Sequence, residues 1–190
     1  MDILQLFISA IFINNIVLAQ YLGQCPYLGC SKERSVAVGM GLAVFFVILL
    51  ATLLTWLAQA YVLTPFNITF IQTIVFILLI AGLVQFVEIF LKKSIPPLYS
   101  ALGIYLPLIT TNCCVLGVAV MVQRLEYSLV TSMLFAAASS AGFLLALIFM
   151  SGIRMRLDTF RTPKSMAGTP QGLIMAGLMS MCFMAFKGMI

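Results

Sequence analysis

Two cysteines in matching surroundings are the residues of this chain best suited to chemistry. Cys25 stands in Gly23-Gln24-Cys25-Pro26-Tyr27-Leu28-Gly29 and Cys113 in Thr110-Thr111-Asn112-Cys113-Cys114-Val115-Leu116-Gly117, so each opens a copy of C-x-x-L-G. The chain has no His. That removes the commonest metal ligand and the commonest general base, and any metal chemistry rests on thiolates or carboxylates. Each copy also carries Gly, Pro or Asn, which loosen a helix and free backbone N–H groups; such groups donate to cluster sulfurs and tune their potential. The plain alternative is packing, since Cys behaves as a small apolar residue. Packing suffices for Cys182 and Cys30, whereas for Cys25 and Cys113 both readings stand.

Two thiolates do not complete a site. Simple iron–sulfur clusters take four Cys ligands. Cys114 is adjacent to Cys113, and neighbours on a helix point about 100° apart, so both serving one cluster is awkward. Under the metal reading, one chain offers Cys25 and Cys113, and a second copy or a similar protein supplies the other pair.

The elements that must position these residues are set by composition. Of 190 residues, 63% are hydrophobic and 8% charged, with mean hydropathy +1.18. A soluble domain carries about a quarter charged residues, so the chain reads as an all-α integral membrane protein. The five cysteines are odd in number and fit no disulfide framework. Met1-Asp2-Ile3 opens without a basic leader, so no cleaved signal is expected. The net charge is +5, but no basic block suits nucleic acid.

At about 20 residues per span, six transmembrane segments are expected: 3–30, 36–57, 68–91, 98–122, 128–150 and 171–189. They form a single transmembrane domain over 1–190. The first and fourth are broken, the first by Asn14, Asn15, Gln20, Gly23, Gln24 and Pro26, the fourth by Pro107, Thr110, Thr111 and Asn112. Discontinuous helices at corresponding places in two halves point to a site in an inverted-repeat membrane protein. The expected architecture is therefore two inverted three-helix repeats, about 1–92 and 93–190, with helices 1 and 4 broken. Ala136 to Gly142 form a small-residue run suited to close helix packing. The Met residues of the sixth segment read as flexible packing.

Charge sets the orientation. Lys32, Arg34, Lys92, Lys93, Arg154, Arg156, Arg161 and Lys164 follow spans one, three and five, against Arg124 and Lys187 on the other side. The positive-inside rule places those three loops in the cytoplasm and both termini outside.

Other polar residues have bland readings. Gln85 and Glu88 share a helix face, with Gln72 further away; Glu88 is spaced for an i, i+4 ion pair with Lys92. Asn14, Asn15 and Asn112 are expected to cap half-helices, because freed backbone groups need partners. No nucleotide-binding loop is present. A competing function is a cofactor-free inverted-repeat carrier of ions or substrate, whose site Asn14, Asn15, Thr110, Thr111 and Asn112 would line.

The motifs resemble a known family. Asn14 to Leu18, Tyr21 to Gly29, Leu102 to Cys113 and Ala176 to Ser180 are similar to the A subunits of Rnf complexes, over essentially the whole chain. The corresponding subunit of the sodium-pumping NADH:quinone reductase is the nearest related form; the Asn-Asn pair and the short loop Ala58 to Asn67 favour the Rnf one. The resemblance implies a translocase that moves electrons between ferredoxin and NAD⁺ and couples this to Na⁺ or H⁺ transport, with no catalytic residue on this chain alone. It implies a homologous partner, the Rnf E subunit, in opposite orientation, and further B, C, D and G subunits carrying iron–sulfur and flavin centres. It also implies one [2Fe–2S] cluster shared with that partner, carried over here to Cys25 and Cys113. The implied location is the bacterial cytoplasmic (inner) membrane. The expected mechanism is an electron wire through the membrane, with alternating exposure of the two halves coupling it to ion movement.

Overall fold

The structure is a computed structural model describing residues 3–64, 69–94, 108–109, 111–157, 159 and 168–188. Its regular elements among these residues are all helical. α1 (Ile3–Ile8) widens into a π-turn (Ser9–Ile13), and α2 (Gln24–Gly29) follows after a break. α3 (Arg34–Ala58) continues as π-turns through Leu63. α4 is Gln72–Ser94, α5 Cys113–Arg124, α6 Leu129–Leu157 and α7 Thr169–Met184.

Among the described residues three helical stretches are long and apolar enough to cross a membrane: Arg34–Leu63, Gln72–Ile89 and Leu129–Leu157. Cys113–Arg124 and Thr169–Met184 are shorter apolar helices. Helix 1 is broken as expected. Of segment four, residues 98–107 and Thr110 lie outside the described residues. The expected loop from Ala58 instead begins as helix: Thr64 donates its hydroxyl to the Gln59 carbonyl at 2.8 Å, supporting this extra turn.

α3 and α6 form the central pair, and each also meets α5. Their close approach uses Gly41, which sits against Leu144. Two buried hydroxyls bond locally: Thr55 donates to the Ala51 carbonyl at 2.8 Å and Ser140 to that of Ala136 at 2.7 Å. Such i−4 bonds are the usual resolution inside apolar helices. Trp56 anchors the end of α3 by donating its indole N–H to the Tyr127 carbonyl at 3.2 Å. α4 is peripheral; Leu78, Phe86 and Ile89 are exposed along it. In a membrane protein such a face meets lipid or another protein chain.

Candidate metal-ligand site at two helix breaks

A helix break leaves carbonyls and N–H groups without partners, and in an apolar setting each must be satisfied internally. In the first break Asn15, fully buried, does most of this. Its Oδ1 accepts from the Val17 and Leu18 N–H groups at 3.1 and 3.4 Å. Its Nδ2 donates to the carbonyls of Ile11 and Gly142, both at 3.0 Å. Gly142 on α6 permits this approach: a Cβ there would lie 3.1 Å from the Asn15 amide. Two further carbonyls are met from further along the chain. Gln24 donates to the Val17 carbonyl at 3.2 Å, and Ser180 on α7 donates to that of Leu18 at 2.6 Å. Tyr21, held at φ 56°, donates its hydroxyl to Ser180 at 3.0 Å.

The second break is capped by Asn112, whose backbone is extended and whose Oδ1 accepts from the Cys114 N–H at 3.0 Å. The capping expected of Asn15 and Asn112 is observed. Asn14 differs: it is exposed and donates to Ser9 Oγ at 3.3 Å.

The two breaks meet. The Gly23 N–H donates to Cys113 Sγ at 2.9 Å. Gly23 has φ +79°, and a Cβ there would fall 3.0 Å from Phe143 and 3.2 Å from the Cys114 Cβ. Only glycine lets the first break lie this close to the second. Cys25 and Cys113 are both exposed, near the starts of α2 and α5, while Cys114 and Cys30 are buried. The adjacent pair is thus split between surface and core. Cys182 is exposed on α7. Among the described residues no three potential metal ligands come together.

The donor set suits an anionic sulfur-rich group. Cys113 Sγ already accepts a backbone N–H, the environment a thiolate ligand favours. Asn112 Nδ2, next in sequence, is buried with no acceptor among the described residues. Asn15 is different in kind: its amide is fully engaged by backbone and has no free group for a passing substrate.

Arg154 reads in the sequence as a loop charge, and the structure places it elsewhere. α6 continues past the expected end at 150 to Leu157, and Arg154 lies on it, only 8% exposed. Its Nη1 donates to the Leu28 carbonyl at 2.6 Å and to Ser31 Oγ at 2.8 Å, and its Nη2 to the Gly168 carbonyl at 3.4 Å. The only sequence signal is its place in a helix-period continuation of an apolar run. Glu88 lies one turn before Lys92 on α4.

The chain is a member of the Rnf-Nqr family. Residues 3–190 match the family described as Rnf-Nqr subunit, membrane protein. It is similar to the A subunit of the Na⁺-translocating ferredoxin:NAD⁺ oxidoreductase complex of Acetobacterium woodii, 50% identical over 189 residues, covering 100% of this chain and 98% of the relative. It is similar to the A subunit of the ion-translocating oxidoreductase complex of Syntrophotalea carbinolica, 49% identical over 100% of this chain and 98% of that protein. The protein of the same name from Cereibacter sphaeroides is 44% identical over 99% of this chain and 97% of its own length.

Proposed function

We propose that this chain is the A-type membrane component of an ion-translocating ferredoxin:NAD⁺ oxidoreductase complex, and that Cys25 and Cys113 hold half of an intramembrane [2Fe–2S] cluster. The observation that carries the site assignment is the Gly23 N–H bond to Cys113 Sγ. It brings the two interruptions together and leaves both thiols on the surface, where a second protein can meet them. The names of full-length relatives support the complex.

In this reading a homologous E-type partner, inverted in the membrane, contributes the other two ligands, and the B, C, D and G subunits carry further iron–sulfur and flavin centres. The cluster supplies one-electron transfer across the apolar layer. The chain's own residues fix its half of the site. Gly23 donates to the Cys113 sulfur, Asn112 caps α5 beneath Cys113, and Asn15 holds the first break open. Coupling to Na⁺ or H⁺ follows if the two breaks, as halves of an inverted repeat, exchange exposure between the two sides of the inner membrane.

The test is anaerobic co-purification of the complex with iron analysis and EPR of the reduced state. A [2Fe–2S] signal lost in both Cys25→Ala and Cys113→Ala, and retained in Cys114→Ala, is expected. An iron signal indifferent to both exposed thiols sinks the assignment. Coupled ion transport that persists after Cys25→Ala abolishes the signal would remove the electron wire from the mechanism.

A further inference from the structure

A helix of six residues does not stand alone, because nucleation costs more than one turn returns. α2, which carries Cys25, is therefore held from outside at both ends. At its start the Gly23 N–H binds Cys113 Sγ. Near its end the Leu28 carbonyl accepts from Arg154 at 2.6 Å, and Ser31, just beyond, accepts from the same nitrogen at 2.8 Å. Tyr27, between them, is fully buried.

Arg154 does more than tie this end down. Among the described residues its acceptors are two carbonyls and a hydroxyl, all neutral. A guanidinium stays charged wherever it is placed. An embedded ionisable group is costly and is retained for a partner that needs it. A cation at a helix C-terminus already faces the negative end of the peptide dipoles. Leu28 lies about 4.5 Å along the helix axis from Cys25. Arg154 is buried, and the field of a buried charge is screened less than that of an exposed one.

We propose that Arg154 is an electrostatic positioning residue for the Cys25 half of the metal site. It fixes the far end of α2 and stabilises negative charge added at the Cys25 end. This rests on Cys25 being a cluster ligand. When the site takes up one electron, it gains one negative charge and breaks no bond of this chain; the Arg154 cation favours that state and raises the midpoint potential.

The experiment is an EPR-monitored redox titration of the whole complex, purified anaerobically, following the [2Fe–2S] signal that disappears in Cys25→Ala. Arg154→Met is expected to shift the one-electron equilibrium about tenfold towards the oxidised state, a fall of about 59 mV. Arg154→Lys, which keeps the charge, is expected to stay within about threefold of wild type, less than half that shift. If Arg154→Met does not assemble, Ser31→Asp provides the same reading, because it neutralises Arg154 in place and should lower the potential in the same direction. A purely structural Arg154 would reduce the amount of cluster and leave the midpoint of the remainder unchanged; that result overturns the proposal. A wild-type complex with no Cys25-dependent signal overturns instead the cluster assignment on which it rests.

Discussion

The Gly23 N–H donates to Cys113 Sγ at 2.9 Å, so a sulfur of the second helix break closes the backbone of the first. The bond requires a left-handed residue at position 23, where φ is +79°. It also requires no side chain, because Phe143 and Cys114 occupy the space a Cβ would take.

Gly23→Ala therefore carries two penalties. The left-handed backbone costs about 1–2 kcal/mol for a residue with a Cβ, and crowding against Phe143 adds to it. Gly39→Ala is the control, since Gly39 lies on α3 with open space around it; in a helix that change gains up to about 1 kcal/mol. Thermal denaturation of the purified protein in detergent should show Gly23→Ala melting below wild type and Gly39→Ala at or above it. Equal melting of the two variants contradicts the close approach of the breaks.

Much of this arrangement is legible from residue types. Runs of apolar residues mark the long apolar helices, and Gly, Pro and Asn mark the breaks, because each of these residues costs an apolar helix something definite. Asn15 and Asn112 read correctly as caps for the same reason. Three features are hidden. The Gly23 bond to Cys113 joins residues far apart in sequence, and local pattern carries no register between them. Tyr21 and Ser180 likewise meet only because α7 packs beside the first break. Arg154 looks like a loop cation because the apolar run fades near Met150; the helix nonetheless continues to Leu157. Binary patterning marks where burial by side-chain type ends, and a buried guanidinium satisfied by carbonyls leaves no trace in it.

Asn15→Leu tests the first break directly. The change keeps approximate shape and removes every side-chain hydrogen bond at the position. It strands the Val17 and Leu18 N–H groups and removes a donor from the Ile11 and Gly142 carbonyls. Each buried group left unsatisfied costs about 1–3 kcal/mol. We expect a loss of several kcal/mol, read as a large drop in folded yield and melting temperature. Asn14→Leu, at the exposed neighbour, should change stability by about 0.5 kcal/mol or less. Similar losses at the two positions would contradict the capping assigned to Asn15.

Orientation gives a separate prediction. Lys92, Lys93 and Arg156 are exposed at the ends of α4 and α6. With Arg154 set aside as a buried cation, Lys32, Arg34, Arg161 and Lys164 still favour the same side, and the positive-inside rule predicts both termini outside. Alkaline phosphatase fused after Ile190 should be active, and the same reporter fused after Leu157 inactive. The opposite pattern reverses the topology, and with it the side from which each break is approached.

Thiol accessibility separates the two classes of cysteine before any cluster is invoked. Cys25 and Cys113 are exposed, whereas Cys30 is 1% and Cys114 0% exposed. In a Cys182→Ser background, a small maleimide should label the isolated chain at Cys25 and Cys113, and reach Cys30 and Cys114 only on unfolding. In the assembled complex Cys25 and Cys113 should be protected, because a metal-bound thiolate is not free to alkylate. Removing iron with an oxidant and chelator should restore labelling at those two positions together. Mass spectrometry of the labelled peptides reads each site separately. Protection by the partner alone would persist after iron removal, while protection by ligation would be lost with the iron; persistence at both positions counts against Cys25 and Cys113 as ligands.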